Sequence, residues 1–259
     1  MTIHVDPDWW KTLFDDVYLV TDARSVCSPE VTETEVEVFS RLIPIGRSHQ
    51  ILDLCGGHGR HALELSRRGF AHCTVLDYSR CLLRRGAAAA ARHRLSVAFV
   101  NGDARNIAFP RSCFDHVMVL GNSLGYIPDP QADAEILAEA YRVLKDGGWL
   151  LLDVADGASI RKRFSPNAWH EIGGDVVVCR QREQQGDVIC AREMVISKES
   201  GLIRDRTYCM RLYQPPALAA AATRAGFSRT TIHTDFSPHL GEGDYGCMNH
   251  RMIITAQKT

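Results

Sequence analysis

The residues with the clearest chemical potential lie in a glycine-rich run between a short apolar segment and a helical one. The run extends from Asp53 to Ala62 and reads DLCGGHGRHA. Glycines allow a backbone to approach a ligand closely and to adopt positive φ. At the carboxyl end of a parallel strand, such a loop is where α/β sheets bind nucleotides. We therefore expect a nucleotide-binding loop whose centre is Cys55, Gly56, Gly57 and Gly59.

Two acidic residues follow the next two predicted strands. Asp77 ends the second strand, 18 residues after Gly59, and a carboxylate there accepts hydrogen bonds from both ribose hydroxyl groups. Asp103 follows the third strand, where a carboxylate can accept from an adenine amino group and the Ala104 N–H can face a ring nitrogen. Because the G-x-G-x-x-A spacing of the loop also fits a dinucleotide site, it leaves an NAD-dependent dehydrogenase as an alternative.

The other ligand compatible with this spacing is S-adenosylmethionine, which has no pyrophosphate to cradle. Its site must hold a zwitterionic amino acid and a positively charged sulfur. Asp53 suits the ammonium, and the carbonyl groups after the fourth predicted strand, at Leu120 and Gly121, suit the sulfonium. These features favour S-adenosylmethionine.

The elements that position these residues alternate between strand and helix. Apolar runs predict strands at 50–55, 72–77, 96–101, 113–120 and 149–154, and amphipathic patterns predict helices at 7–20, 30–43, 59–68, 79–92 and 131–145. Such alternation predicts a mostly parallel sheet with helices on both faces. The Gly147-Gly148 pair is expected to separate the helix at 131–145 from the fifth strand. Beyond it, the pattern predicts a three-stranded antiparallel meander at 175–212, a helix at 215–226 and strands at 229–236 and 248–256.

Five short motifs in this order, together with three flanking segments, resemble the class I S-adenosylmethionine-dependent methyltransferases, in particular the branch that acts on small molecules. The segments are 53–62, 75–79, 101–105, 114–117 and 144–148, with 14–18, 32–36 and 211–216. Cys55 stands where the general pattern has its first glycine, and Asp146 stands where members usually have proline. The resemblance covers the whole chain.

This resemblance implies an α/β fold: a Rossmann-like, mostly parallel seven-stranded sheet with helices on both faces and the last strand antiparallel, plus a small antiparallel β-meander cap. It implies a helical lid at 1–48, a cofactor-binding core at 49–156 and 213–259, and the cap over the substrate pocket at 157–212.

Position along these elements gives the expected site residues. The cofactor contacts are expected to be Tyr18, Asp53, Cys55, Gly56, Gly57, Gly59, Asp77, Tyr78, Asp103, Ala104, Leu120 and Asn122. The catalytic candidates are His170, Tyr126 and Tyr18, with His170 as the possible base because histidine titrates near neutral pH; a purely structural histidine is the alternative. The substrate contacts are expected to be Asn122, Tyr126, Trp169, His170, Arg211 and Tyr213.

The predicted reaction is in-line transfer of a methyl group to an N or O atom of a small molecule, with S-adenosylhomocysteine as the product. It depends chiefly on alignment and exclusion of water. No metal constellation is seen, so no metal is expected. The alternative outcome is another use of the same cofactor, such as a cyclisation that releases methylthioadenosine.

The bulk composition excludes several other classes. The 259 residues carry a formal net charge of -1, so no electrostatic footprint for nucleic acid is present. No apolar stretch approaches the length of a membrane span, and no signal peptide is seen. The nine cysteines form no CxxC pair, which is typical of a reduced, cytoplasmic protein. The oligomeric state stays open between monomer and homodimer.

Overall fold

Residues 2–239 and 250–259 are described by the computed structural model. The strands are β1 Gln50–Leu54, β2 His72–Asp77, β3 Val97–Asn101, β4 Phe114–Val119, β5 Leu144–Ala155, β6 Asn167–Ile172, β7 Val176–Gln185, β8 Val188–Ser197, β9 Gly201–Arg211, β10 Ser228–Phe236 and β11 Arg251–Gln257. The helices are α1 Asp16–Thr21, α2 Ala23–Val26, α3 Pro29–Leu42, α4 Arg60–Arg67, α5 Arg80–His93, α6 Pro130–Val143, α7 Gly157–Lys162 and α8 Pro215–Arg224.

Seven strands form one twisted layer in the order β10-β11-β5-β4-β1-β2-β3. The five strands from β1 to β5 pair in parallel, and β11 is antiparallel to both of its neighbours. The predicted Rossmann-like sheet, with an antiparallel last strand, is therefore confirmed.

Apolar side chains on both faces of this sheet explain why its strands read as continuous hydrophobic runs. Leu52 and Leu54 pack with residues of α6 and α8 on one face, whereas Ile51 packs with residues of α3 and α4 on the other. All three side chains are fully buried. Burying a side chain of this size stabilises the fold by about 1.5–3 kcal/mol, so two hydrophobic layers hold the central strands.

Several helices begin at a side chain that caps their first backbone N–H groups. The Ser79 hydroxyl accepts a hydrogen bond from Leu82 N at the start of α5. Asp15 accepts from Val17 N and Tyr18 N at the start of α1. Such caps pair backbone N–H groups that have no partner inside the helix.

The sequence predicts one continuous helix at 7–20, and this prediction is wrong because the structure has two separate elements there. A short 3-10 turn, Trp9–Lys11, comes first, and the α-helix begins only at Asp16. The break follows from the cap, because Asp15 adopts an extended conformation while its carboxylate accepts hydrogen bonds from Val17 N and Tyr18 N.

Two strand predictions also need correction. The fifth strand begins at Leu144 and runs through the Gly147-Gly148 pair, because Gly147 N donates to Lys258 O (2.7 Å) and Lys258 N donates to Gly148 O (2.9 Å). The antiparallel meander has four strands in the order β6-β7-β8-β9, not three. The added strand, β6, holds residues 167–172. The predicted start of the last strand, 248–249, lies outside the described residues.

Candidate cofactor and active site

A cavity of about 1070 Å³, counting its open mouth, lies where the loops after β1, β2, β3 and β4 meet. The carboxyl ends of parallel strands are the expected place for a ligand in such a sheet. Ten residues expected from the sequence line it: Tyr18, Cys55, Gly56, Gly57, Asp77, Tyr78, Asp103, Ala104, Leu120 and Tyr126. Tertiary structure thus brings together side chains that are more than 100 residues apart.

The glycine loop is shaped by close contacts rather than by flexibility alone. A Cβ atom at Gly56 would lie 2.6 Å from Cγ of Asp53. At Gly59 the φ angle is 73°, and a Cβ atom would lie 2.8 Å from Cγ2 of Val75. Gly59 does not line the cavity; it is required because α4 packs closely against β2. Cys55 has φ 59°, in the left-handed region where the general motif has glycine.

Asp77 bridges the loop and the next helix. One carboxylate oxygen accepts a hydrogen bond from Gly57 N at 2.8 Å, and the other accepts from Ser79 N at 2.7 Å. Burial raises the pKa of Asp77, and these N–H groups oppose that rise. Because a carboxylate has about four lone-pair sites, both oxygens can still accept from a ribose diol in the cavity.

Asp103 is held by its neighbour Arg105. Nε of Arg105 donates to both carboxylate oxygens (3.0 and 3.2 Å), and Nη2 donates to Oδ2 at 2.7 Å. These hydrogen bonds lower the pKa of Asp103. The guanidinium of Arg105 also lies 5.2 Å from the ring centre of Trp10, which lines the same cavity and contacts Tyr78 at 4.8 Å. Trp10, Tyr78 and Arg105 therefore form an aromatic and cationic rim beside Asp103.

Asp53 lies behind the loop rather than in the cavity wall. It is 1% exposed, and neither carboxylate oxygen has a partner of good geometry among the described residues. Burial raises the pKa of Asp53 to about 7, although the charge of Arg60 opposes this. A buried carboxyl without partners is costly, so Asp53 is suited to a cationic group held at Gly56.

A buried charge network that sequence reasoning missed surrounds Arg60. Nη1 of Arg60 donates to Thr32 Oγ1 at 3.1 Å and pairs with Glu35. Glu35 also pairs with Arg251, and His61 Nε2 lies 2.9 Å from Glu35 Oε2. Burial alone would raise the pKa of Glu35, but Arg251 and Arg60 outweigh it and hold that pKa well below its usual range.

Arg60 and His61 both line the cavity, and Arg60 is the first residue of α4. Its place directly after Gly59 in the glycine-rich motif was the available signal. Arg251 continues the network to Asp153 at 2.8 Å, and Asp153 accepts from Gly121 N at 3.0 Å. The network thereby connects α3, α4 and β11 with the loop after β4.

Aromatic rings form one wall of the cavity. Phe14 packs edge-on against Tyr18 and Tyr126, with ring centres 5.1 and 5.6 Å apart. Trp9 packs on Tyr126 from behind at 5.6 Å. Burial raises the pKa of Tyr18 well above its usual value, so its phenol stays neutral near neutral pH.

Asn122 does not line the cavity, contrary to its predicted place among the contacts. Its Oδ1 accepts from Ala155 N at 2.8 Å, and its Nδ2 lies 3.3 Å from the Tyr126 hydroxyl. The side chain is 2% exposed. Asn122 therefore positions Tyr126 against the end of β5.

Four expected substrate residues lie away from the cavity. Arg211 pairs with Asp133, whose Oδ2 also accepts from the Tyr213 hydroxyl, so both side chains fix a carboxylate that does line the cavity. His170 Nε2 donates to the Thr21 carbonyl at 3.2 Å, and burial lowers its pKa. Trp169 is 72% exposed, because alternation along β6 turns it to the face opposite His170.

In the described part of the chain, no group of three or more His, Cys, Asp or Glu side chains is arranged to hold a metal ion. Among the described helices, none has the length and apolar character needed to cross a membrane.

Sequence similarity connects this chain with known methyltransferases. A family model described as a methyltransferase domain matches residues 51–148. The chain is 32% identical over 194 residues to the ubiquinone/menaquinone biosynthesis C-methyltransferase UbiE of a Bradyrhizobium strain, with 71% of this chain and 68% of that protein covered. It is 41% identical over 110 residues to the protein of the same name from Agrobacterium fabrum, where 40% of each chain is covered.

Solved structures share the fold over nearly the whole chain. The CcbJ methyltransferase of Streptomyces caelestis superposes with a TM-score of 0.78 at 19% identity, covering 98% of this chain and 99% of that one. An S-adenosylmethionine-dependent methyltransferase of Clostridium acetobutylicum gives 0.73 at 14% identity, covering 93% and 96%.

A Rossmann-like sheet with a nucleotide cavity at its carboxyl edge defines the class. This chain belongs to the class I S-adenosylmethionine-dependent methyltransferase family. It is an S-adenosylmethionine-dependent methyltransferase, which sets aside the dehydrogenase alternative.

Proposed function

We propose that this enzyme transfers a methyl group to an N or O atom of a small molecule by in-line displacement, driven mainly by proximity and exclusion of water. The observation that carries this proposal is that the aromatic rings of Phe14, Tyr18 and Tyr126 line the same cavity as the loops after the parallel strands. S-adenosylmethionine supplies an electrophilic methyl group on a sulfonium. The chain needs chiefly to align an acceptor behind that group in a dry site.

The adenosine end of the cavity is assigned to Asp77, Asp103 and Ala104. Asp77 would accept from the ribose hydroxyls with the lone pairs that Gly57 N and Ser79 N leave free. Asp103, still ionised beside Arg105, would accept from the adenine amino group. These roles use charge-assisted hydrogen bonds, which are stronger than neutral ones.

The amino-acid end is assigned to Arg60, Asp53 and the loop after β4. Arg60 lines the cavity with its guanidinium beside Gly121, so it would pair with the carboxylate. Asp53, buried directly behind Gly56, would favour the ammonium through its negative charge rather than by contact in the cavity. The Leu120 and Gly121 carbonyl groups follow β4 at this end and suit a sulfonium.

The histidines that line the cavity favour an acceptor that is nucleophilic without loss of a proton. Burial lowers the pKa of His58 and of His61 to about 4, with Arg60 adding to the effect, so both rings are weak bases. His61 is also hydrogen-bonded to Glu35. A neutral amine needs no base beyond such surroundings, whereas a hydroxyl usually needs proton removal.

We also propose that residues 1–48 act as a lid and that 157–212 act as a cap over the acceptor. Contacts from Thr21 to His170 and from the cap strand β9 to Leu13 support this division.

A cytoplasmic location is supported by the eight described cysteines, all of which are free thiols.

A carbon acceptor is the second candidate. The two relatives reported above are named as C-methyltransferases, and one of them matches over two thirds of its length. The same cavity serves a carbon nucleophile, since the alignment requirement is identical.

The deciding experiment follows products by mass spectrometry after incubation with S-adenosylmethionine and a panel of amines, alcohols, phenols and quinols. S-adenosylhomocysteine plus an N- or O-methylated product supports the proposal. A C-methylated product supports the second candidate. Methylthioadenosine as the only nucleoside product would overturn both and establish a different use of the cofactor.

A further inference from the structure

The segment that carries Tyr18 over the cavity is held from two sides. On the core side, Ser79 Oγ donates to the Phe14 carbonyl at 2.6 Å. Asp15 then starts α1, accepting from Val17 N at 2.9 Å and Tyr18 N at 3.0 Å. Because Phe14 and Tyr18 both line the cavity, the placement of α1 sets the position of the aromatic wall.

On the cap side, a charge network on the buried face of the four-stranded sheet contacts both ends of α1. Arg204 donates to Asp15 at 3.0 Å and to Glu193 at 2.6 Å. Arg180 donates to the other oxygen of Glu193 at 2.7 Å and to Asp22, which follows α1, at 3.1 Å. Glu193 is 2% exposed and Arg204 is 8% exposed.

The two arginines share one carboxylate, and each reaches a different end of the helix. Glu193 thus fixes the directions in which Arg180 and Arg204 point. Buried, charge-assisted hydrogen bonds are directional, and removing one partner leaves an uncompensated charge. An arrangement of this kind defines one position of α1 and disfavours displaced ones.

We propose that Glu193, Arg180 and Arg204 are positioning residues of this methyltransferase, which clamp α1 by Asp15 and Asp22 and so set the wall formed by Phe14 and Tyr18. The inference rests on the proposed function, because it assumes that this wall covers the cofactor. It makes the cap sheet part of the cofactor site without direct contact to the cavity.

The test uses two variants and a matched control in the full-length enzyme. Glu193→Gln keeps the shape but removes the shared charge, and Asp22→Asn loosens only the second end of α1. Asp205→Asn is the control, because it breaks the pair with Arg192 on the same strands, β8 and β9, but on the exposed face. Exposed pairs of this kind contribute little to stability.

Two readouts separate positioning from general stability. The first is the dissociation rate of S-adenosylhomocysteine in stopped-flow experiments. We expect it to rise in Glu193→Gln by up to about a hundredfold, since the charge-assisted hydrogen bond lost from the clamp sets the upper limit. The second is limited trypsin cleavage at Lys11 and Arg24, which flank α1, without added ligand. We expect faster cleavage in both variants and no change in Asp205→Asn.

Dissociation and cleavage that stay at wild-type values in both variants would overturn the clamp. Equal acceleration in Asp205→Asn would also overturn it, because the effect would then be a general loosening of the cap. If the wild-type enzyme fails to bind S-adenosylhomocysteine, the proposed function is wrong, and the cleavage arm still decides whether the network holds α1.

Discussion

Among the side chains of the cavity, we expect Asp77 to contribute most to the affinity for the cofactor. Replacing it with alanine removes one or two charge-assisted bonds to ribose, each worth about 1.5–3 kcal/mol. We expect Asp77→Ala to lower the affinity for S-adenosylhomocysteine by roughly tenfold if one bond at the lower limit is lost, and by more than about a hundredfold if both are lost, measured by calorimetry. Asp205→Ala is the control for loss of a carboxylate elsewhere, and unchanged affinity in Asp77→Ala would contradict the assignment.

Arg60 should discriminate between ligands with and without an amino-acid carboxylate. We expect Arg60→Gln to weaken S-adenosylhomocysteine by about tenfold or more, the size of one hydrogen bond between charged groups. Methylthioadenosine, which lacks that carboxylate, should bind the variant as it binds the wild type. Competition binding with both ligands makes the comparison, and an equal loss for both would show that Arg60 acts only through the buried pair with Glu35.

His116 gives a pH prediction that is independent of the cavity. Burial, with His49 adding to it, lowers the pKa of His116 from 6.5 to about 4. As the pH falls from 6.5 to 4, the unfolded chain takes up this proton before the native state does, so stability is lost by about 1.4 kcal/mol per pH unit.

His116→Gln removes that titration. We therefore expect the difference in free energy of unfolding between wild type and variant to narrow as the pH falls from 7.5 to 5, measured by urea denaturation. A difference that is constant with pH would show that the pKa of His116 is the same in the native and the unfolded protein.

At the scale of elements, the packing of α4 against β2 depends on Gly59. Alanine there would place Cβ 2.8 Å from Val75 and 2.9 Å from Phe99, and overpacking of this kind costs about 1–3 kcal/mol. We expect Gly59→Ala to destabilise the protein by that amount beyond Gly186→Ala. Gly186 also has positive φ (60°), but a Cβ atom there would meet nothing within 4 Å, so the control isolates packing from backbone strain.

Thermal unfolding of the two variants by circular dichroism makes this comparison. Equal loss of stability in both would mean that the loop relaxes away from β2, and that the close approach of α4 is not required.

At the scale of the whole molecule, binding and folding are linked. A ligand at 100 times its dissociation constant stabilises the native state by about 2.7 kcal/mol, and for a chain of this size that corresponds to a rise in melting temperature of roughly 5–10 °C. We expect S-adenosylhomocysteine to produce this shift and NADH to produce none in a thermal-shift assay. A shift with NADH alone would contradict the cofactor assignment.

Most of the sheet was predictable because its signal is local. Each buried parallel strand is a short apolar run, and several helices follow a capping side chain or a glycine, as with Ser79 before α5. The exceptions depended on distant pairing. Gly147 and Gly148 belong to β5 because they form backbone hydrogen bonds with Lys258, directly after the C-terminal strand. The strand β6 forms because its residues pair with β7.

The sheet, the glycine loop and the positions of Asp77 and Asp103 could be predicted from the sequence, since chain order in a parallel α/β fold fixes which loops lie at its carboxyl edge. The partners of the long side chains could not, because they depend on how the layers pack. In the folded protein, Trp169 is exposed to solvent, and Arg211 and Tyr213 both bind Asp133. Arg60 and Arg251 both pair with Glu35. Burial makes charge pairing compulsory, but which charges meet depends on how the layers pack, and no local pattern in the chain encodes that.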